Sequence, residues 1–132
     1  MKAGGLKYDT GKPPMELLPH DSLVELAMVL KAGEVKYSAG NWTRGIEMRR
    51  LIGAAYRHLG EFNSGRDYDE ETKTLHIANA AVNLLFAIWM YKNKPELDNR
   101  WLKKDLTSTK AIDKTKKGNN AGKRTKMSKK GK

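Results

Sequence analysis

From His76 to Tyr91 the chain reads His-Ile-Ala-Asn-Ala-Ala-Val-Asn-Leu-Leu-Phe-Ala-Ile-Trp-Met-Tyr, a helix apolar nearly all round. Such a helix belongs at the centre of a bundle or against a partner chain. Yet His76, Asn79 and Asn83 fall at i, i+3 and i+7 and so draw one polar line along it. Burying each without a partner would cost about 1–3 kcal/mol, so the line needs partners from the elements around it.

The preceding segment supplies them. Met48, Leu51, Ile52, Ala55, Leu59 and Phe62 repeat with helical period and predict an amphipathic helix over 48–63. His58 and Glu61 lie at the border of its apolar stripe. Gly65 ends the helix, an acidic loop with Asp67, Asp69, Glu70 and Glu71 follows, and the apolar helix starts near Thr72 or Thr74, with Pro95 as a stop. Upstream, Leu23, Leu26, Ala27 and Leu30 predict a first helix capped by Asp21 or Ser22 and ended or loosened near Gly33. A short fourth segment around 97–102, with Trp101, is expected over one end of the bundle.

Three helices give a thin core for about 100 residues. The fold class expected is all-α, a small bundle of three to four helices completed by oligomerisation, a dimer or a tetramer, with helix three in the interface. Residues 1–102 form the folded domain, of which 1–19, rich in Gly, Pro and Lys, are an extended arm. The net charge of +11 sits elsewhere: residues 103–132 hold 12 Lys or Arg and 2 Asp, the first 102 residues 14 Lys or Arg and 13 Asp or Glu. That tail has no aromatic residue and almost no branched apolar ones, so it is expected to be disordered and to bind nucleic acid non-specifically if at all. There is no Cys, which excludes disulfides and thiolate ligands. The start lacks the apolar core of a signal peptide, and the run from Leu84 to Met90 is too short to span a bilayer; an intracellular protein without a membrane segment is expected.

His58-x-x-Glu61 and His76-x-x-Asn79 place two donors on each of two consecutive helices, which pack antiparallel across a short loop. Four donors converge there, and the loop carboxylates offer hard oxygens for Mg²⁺ or Mn²⁺. Arg57 and Lys36 are placed to meet phosphate, as are Lys7 and Lys12 of the arm. Asn41 and Trp42 follow a turn, where Trp42 either stacks a base or caps the core. These residues by themselves define a metal or polar site and no more.

A family resemblance carries the reading further. Lys7-Tyr8-Asp9-x-Gly11-Lys12-Pro13, Leu17-Leu18-Pro19, Gly33-x-x-Lys36-Tyr37, Asn41-Trp42, Arg57-His58-Leu59, Gly65-x-Asp67-x-Asp69-x-Glu71, and His76 with Asn83 resemble, in order, the phage dATP/dGTP diphosphohydrolase N-terminal domain family. That family is related to the MazG-like all-α nucleoside triphosphate pyrophosphohydrolases. The resemblance implies cleavage of a (deoxy)nucleoside triphosphate to monophosphate and pyrophosphate on Mg²⁺ or Mn²⁺, in the cytoplasm of the host cell if the chain is phage-encoded. It further implies Glu61, His58 and His76 as catalytic residues, and Glu61, Asp69, Glu71, His58, His76 and Asn79 as metal ligands. Lys7, Lys12, Lys36, Asn41, Trp42, Arg57 and Asn83 would bind substrate. The wider superfamily carries Glu-x-x-Glu and Glu-x-x-Asp where this chain has His58-x-x-Glu61 and His76-x-x-Asn79. The competing expectation is a nucleic-acid-binding accessory protein that acts through the tail, with the helices serving oligomerisation; it gives no reason for His76 and Asn83 on an apolar helix.

Overall fold

The computed structural model describes residues 3–101; the expected tail, 103–132, and Leu102 of the fourth segment lie outside them. Three helices form the domain: α1 (His20–Tyr37), α2 (Met48–Asn63) and α3 (His76–Asn93). Short 3-10 turns at Met15–Leu17, Asn41–Arg44 and Pro95–Leu97 connect and flank them. The described residues contain no strand, only an isolated antiparallel bridge between Tyr68 and Leu75.

The all-α fold class holds, and α2 has the bounds its periodicity predicts. The other two helices differ from expectation in instructive ways. α1 starts at His20 with Pro19 at its N-cap and no side-chain cap bond; Asp21 instead accepts from the adjacent Ser22 N–H. It runs through Gly33 to Tyr37, since one internal Gly costs only about 1 kcal/mol, and ends where Ser38 turns to φ 76° and its N–H donates to the Glu34 carbonyl. α3 starts at His76 because residues 67–75 are committed to a turn: the His76 N–H donates to the Asp67 carbonyl at 2.7 Å, and Lys73 adopts φ 60°.

The hydrophobic centre lies between α2 and α3. Met48, Leu51 and Met90 are its buried core, with Met90 at 0% exposure, and Trp42, Phe86, Trp89 and Leu97 close over it. Trp42 stacks on Phe86 (centroids 4.9 Å apart, planes 16° apart) and meets Trp89 edge-on. Gly45 is favoured here, since its φ is 108° and a Cβ would lie 2.7 Å from Leu97 Cδ1, which would have to shift. α1 packs against α3 but buries none of its residues fully. An apolar groove of about 400 Å³ runs between α2 and α3, lined by Ile52, Ala55, Tyr56, Leu59, Ile77, Ala80, Ala81 and Leu84. No helix of the described residues is long and apolar enough to cross a membrane.

Candidate metal centre

The polar line of α3 meets the border of α2 where its sequence spacing puts it. His58 Nδ1 and His76 Nδ1 face one another at 2.9 Å, with ring centroids 5.2 Å apart. Asp69 completes a triangle: one ligand atom from each of His58, Asp69 and His76 lies within 4.8 Å of the others. His76 is buried, and His58 and Asp69 are half-buried. Among the described residues this is the one such group of three.

The loop that carries Asp69 is fixed from both ends. Its backbone N–H donates to the Thr74 carbonyl and its carbonyl accepts from the Lys73 N–H, both at 2.8 Å. The carboxylate takes both Thr72 bonds on a single oxygen: Oδ2 accepts the Thr72 N–H at 2.9 Å and the Thr72 hydroxyl at 2.7 Å, and Oδ1 takes no part in them. Beyond it, Thr72 Oγ1 lies 2.7 Å from Thr74 Oγ1, and the buried Asn79 donates from Nδ2 to Thr74 Oγ1 and to the Leu75 carbonyl. The direction of this chain follows from counting protons. An ionised carboxylate only accepts, so Thr72 spends its hydroxyl proton on Asp69, Thr74 must donate to Thr72, and Asn79 fills Thr74.

The electrostatics agree with that arrangement. Burial, and then the neighbouring His76, push His58 below the ordinary histidine range, which favours the neutral, ligating form. Desolvation alone would raise Asp69, but the two Thr72 hydrogen bonds and the nearby histidines together hold it below its ordinary value. Glu61, half-buried one turn after His58, is lowered chiefly by its hydrogen bond from Arg66. A neutral His58 imidazole beside the ionised Asp69 carboxylate suits a divalent cation.

Other expected site residues stand elsewhere. Glu71 is exposed and pairs with Lys36 at 3.0 Å, which raises Lys36. Asn79 uses its amide to tie the loop, and Asn83 donates to the Asn79 carbonyl at 2.9 Å. Arg57 is exposed on α2, its guanidinium near Gly53. Lys7 and Lys12 pair loosely with Asp9 in an exposed arm. Asn41 is half-buried, and Trp42 spends its ring on Phe86 and Trp89, as a core cap does. Sequence reasoning missed Thr72, Thr74 and Arg66. The first had a signal: a Thr three residues after an Asp in a turn commonly returns two local hydrogen bonds to the carboxylate.

The family described as dATP/dGTP diphosphohydrolase, N-terminal, matches residues 2–100. A protein of Salmonella phage PMBT28 named dATP/dGTP diphosphohydrolase is 41% identical over 96 residues, 73% of this chain and 33% of its own length; the chain thus spans about a third of that relative. No solved structure gives a significant match. With nearly all of its described residues inside the match, the chain belongs to the dATP/dGTP diphosphohydrolase N-terminal domain family.

Proposed function

We propose that this domain hydrolyses a purine deoxynucleoside triphosphate, dGTP or dATP, to the monophosphate and pyrophosphate with a divalent ion, Mg²⁺ or Mn²⁺, in the cytoplasm of a phage-infected host. Membership of the family and the phage relative's name support the substrate class. The observation that carries the reading is the His58, Asp69, His76 triangle on the seam of α2 and α3. An ion bound there supplies positive charge to phosphate oxygens and lowers the pKa of a coordinated water.

The chain's own residues divide the remaining work. Water oxygen attacks the α-phosphorus, the bond to the bridging oxygen breaks, and pyrophosphate leaves; Glu61 accepts the proton that the water gives up. Arg66, which now holds Glu61, and Lys36 with Arg57 neutralise the triphosphate. Asn83 lies half-buried on the same polar line as His76 and is assigned a substrate contact. The apolar groove between α2 and α3 is assigned to a second copy of the chain, which would cover Ile77 and Leu84. Residues 103–132 serve at most as a non-specific anchor for phosphates, and a chain ending at Leu102 should retain hydrolysis.

The test is a nucleotide panel with product identification on the full chain. Pyrophosphate from dGTP or dATP, abolished in Asp69→Ala and His76→Ala variants that keep their helical circular dichroism, is expected. No turnover of any common nucleotide with any divalent ion would reject the assignment.

A further inference from the structure

Resting on the metal centre assigned above but not on its reaction, we propose that the triangle of His58, Asp69 and His76 takes a first-row transition ion, Mn²⁺ or a later member of the series, and discriminates against Mg²⁺. Three observations carry this. The donor set is two imidazole nitrogens and one carboxylate; affinity for such nitrogen donors rises from Mn²⁺ through Co²⁺ and Ni²⁺ to Cu²⁺ and falls back at Zn²⁺, whereas Mg²⁺ is suited by carboxylate and water oxygens. Mg²⁺ prefers carboxylate and water oxygens in a near-ideal octahedron.

The alternative carboxylates are also committed elsewhere. Glu61 pairs with Arg66, Glu71 pairs with Lys36, and Asp67 and Glu70 are exposed. A hard, all-oxygen cage that would reverse the preference is therefore not assembled among the described residues.

Finally, the three donors are gathered before any ion arrives, their ligand atoms lying within 4.8 Å of one another. The two Nδ1 atoms stand 2.9 Å apart, close enough for one ion to take both once the proton between them has moved to Nε2 or been released. Asp69 is held by Thr72 on Oδ2 alone, so its other oxygen is available without breaking a hydrogen bond. Three protein donors leave positions open on the ion, as in catalytic rather than structural centres.

The experiment titrates the metal-stripped full chain with Co²⁺, Mn²⁺ and Mg²⁺ chloride, read by calorimetry and, for Co²⁺, by visible absorption. Co²⁺ should bind on the order of 100-fold more tightly than Mg²⁺, with Mn²⁺ between. His58→Gln and His76→Gln should each weaken Co²⁺ at least about tenfold, whereas His20→Gln, at an exposed position of α1, should leave it unchanged. Should either variant fail to fold, paramagnetic broadening by Mn²⁺ in the unaltered chain should strike the His58 and His76 ring resonances and spare His20. Mg²⁺ binding as tightly as Co²⁺, or broadening centred away from both rings, would overturn the proposal. Co²⁺ on the two histidines with no nucleotide hydrolysed would remove the proposed reaction and leave this site standing; hydrolysis with Mg²⁺ and no Co²⁺ on the histidines would do the reverse.

Discussion

Replacing Thr72 by Val tests whether the hydroxyl chain positions Asp69. Valine keeps the shape and the backbone N–H bond to Oδ2 but removes the hydroxyl bond to the same oxygen and deprives Thr74 of its acceptor. A hydrogen bond to a charged group contributes about 1.5–3 kcal/mol. Asp69 is half-buried and retains one of its two Thr72 bonds, so the lower part of that range applies, roughly 1.5–2.5 kcal/mol. At 1.4 kcal/mol per factor of ten this corresponds to a loss of about 10–60-fold in ion affinity, within the span typical of groups that orient a ligand. Calorimetric Co²⁺ titration of the stripped protein measures it, with Thr72→Ser as the variant that should restore binding to within a few-fold. A Thr72→Val protein with normal helical circular dichroism and unaltered Co²⁺ affinity would refute the positioning role of the chain.

Three further outcomes are expected. His58 is lowered in the folded chain, so below its ordinary value of about 6.5 the unfolded chain binds the extra proton. The stability of the ion-free protein should therefore rise with pH from the folded value up to about 6.5 and level off above it. A pH series of urea midpoints that is equally steep in His58→Gln would show that another group is responsible. Gly45→Ala forces a side chain into φ 108° and against Leu97 and should cost roughly 1–3 kcal/mol; a melting temperature within a degree of the parent would contradict the crowding. Ala81→Arg puts a charge in the apolar groove and should yield monomers or unfolded protein in sedimentation, while a folded, unchanged assembly would move the expected interface away from α3.

Periodicity made α2 readable to the residue because its apolar stripe faces a single neighbour, α3. The start of α3 was not readable in that way. Thr72 and Thr74 are adequate helix caps by composition, but the bridge between Tyr68 and Leu75 and the bond from His76 to Asp67 commit the chain to a turn, and such tertiary closure leaves no local signature. The same turn explains the site. His58 and His76 were legible as a pair because both stand out on apolar helices. Which acidic residue joins them depends on loop geometry, and neighbours as alike as Asp67, Asp69, Glu70 and Glu71 do not reveal in sequence which carboxylate turns inward. Trp42 had two readings at the sequence level, and the aromatic partners that decide for the core, Phe86 and Trp89, lie more than forty residues away.

The hairpin that holds the triangle has a thermodynamic consequence. Its two histidines are only 18 positions apart, so closing the loop between them costs about 1.5 kcal/mol less than closing one of 100 residues. An unfolded chain can therefore gather the same imidazoles around an ion at little entropic expense. Since ligation of the unfolded ensemble subtracts from the stabilisation that ion binding would otherwise confer, a soft divalent ion should raise the melting temperature by less than its affinity for the folded protein would suggest. The same spacing lets an ion that is present during folding bridge the two histidines before α2 has docked on α3.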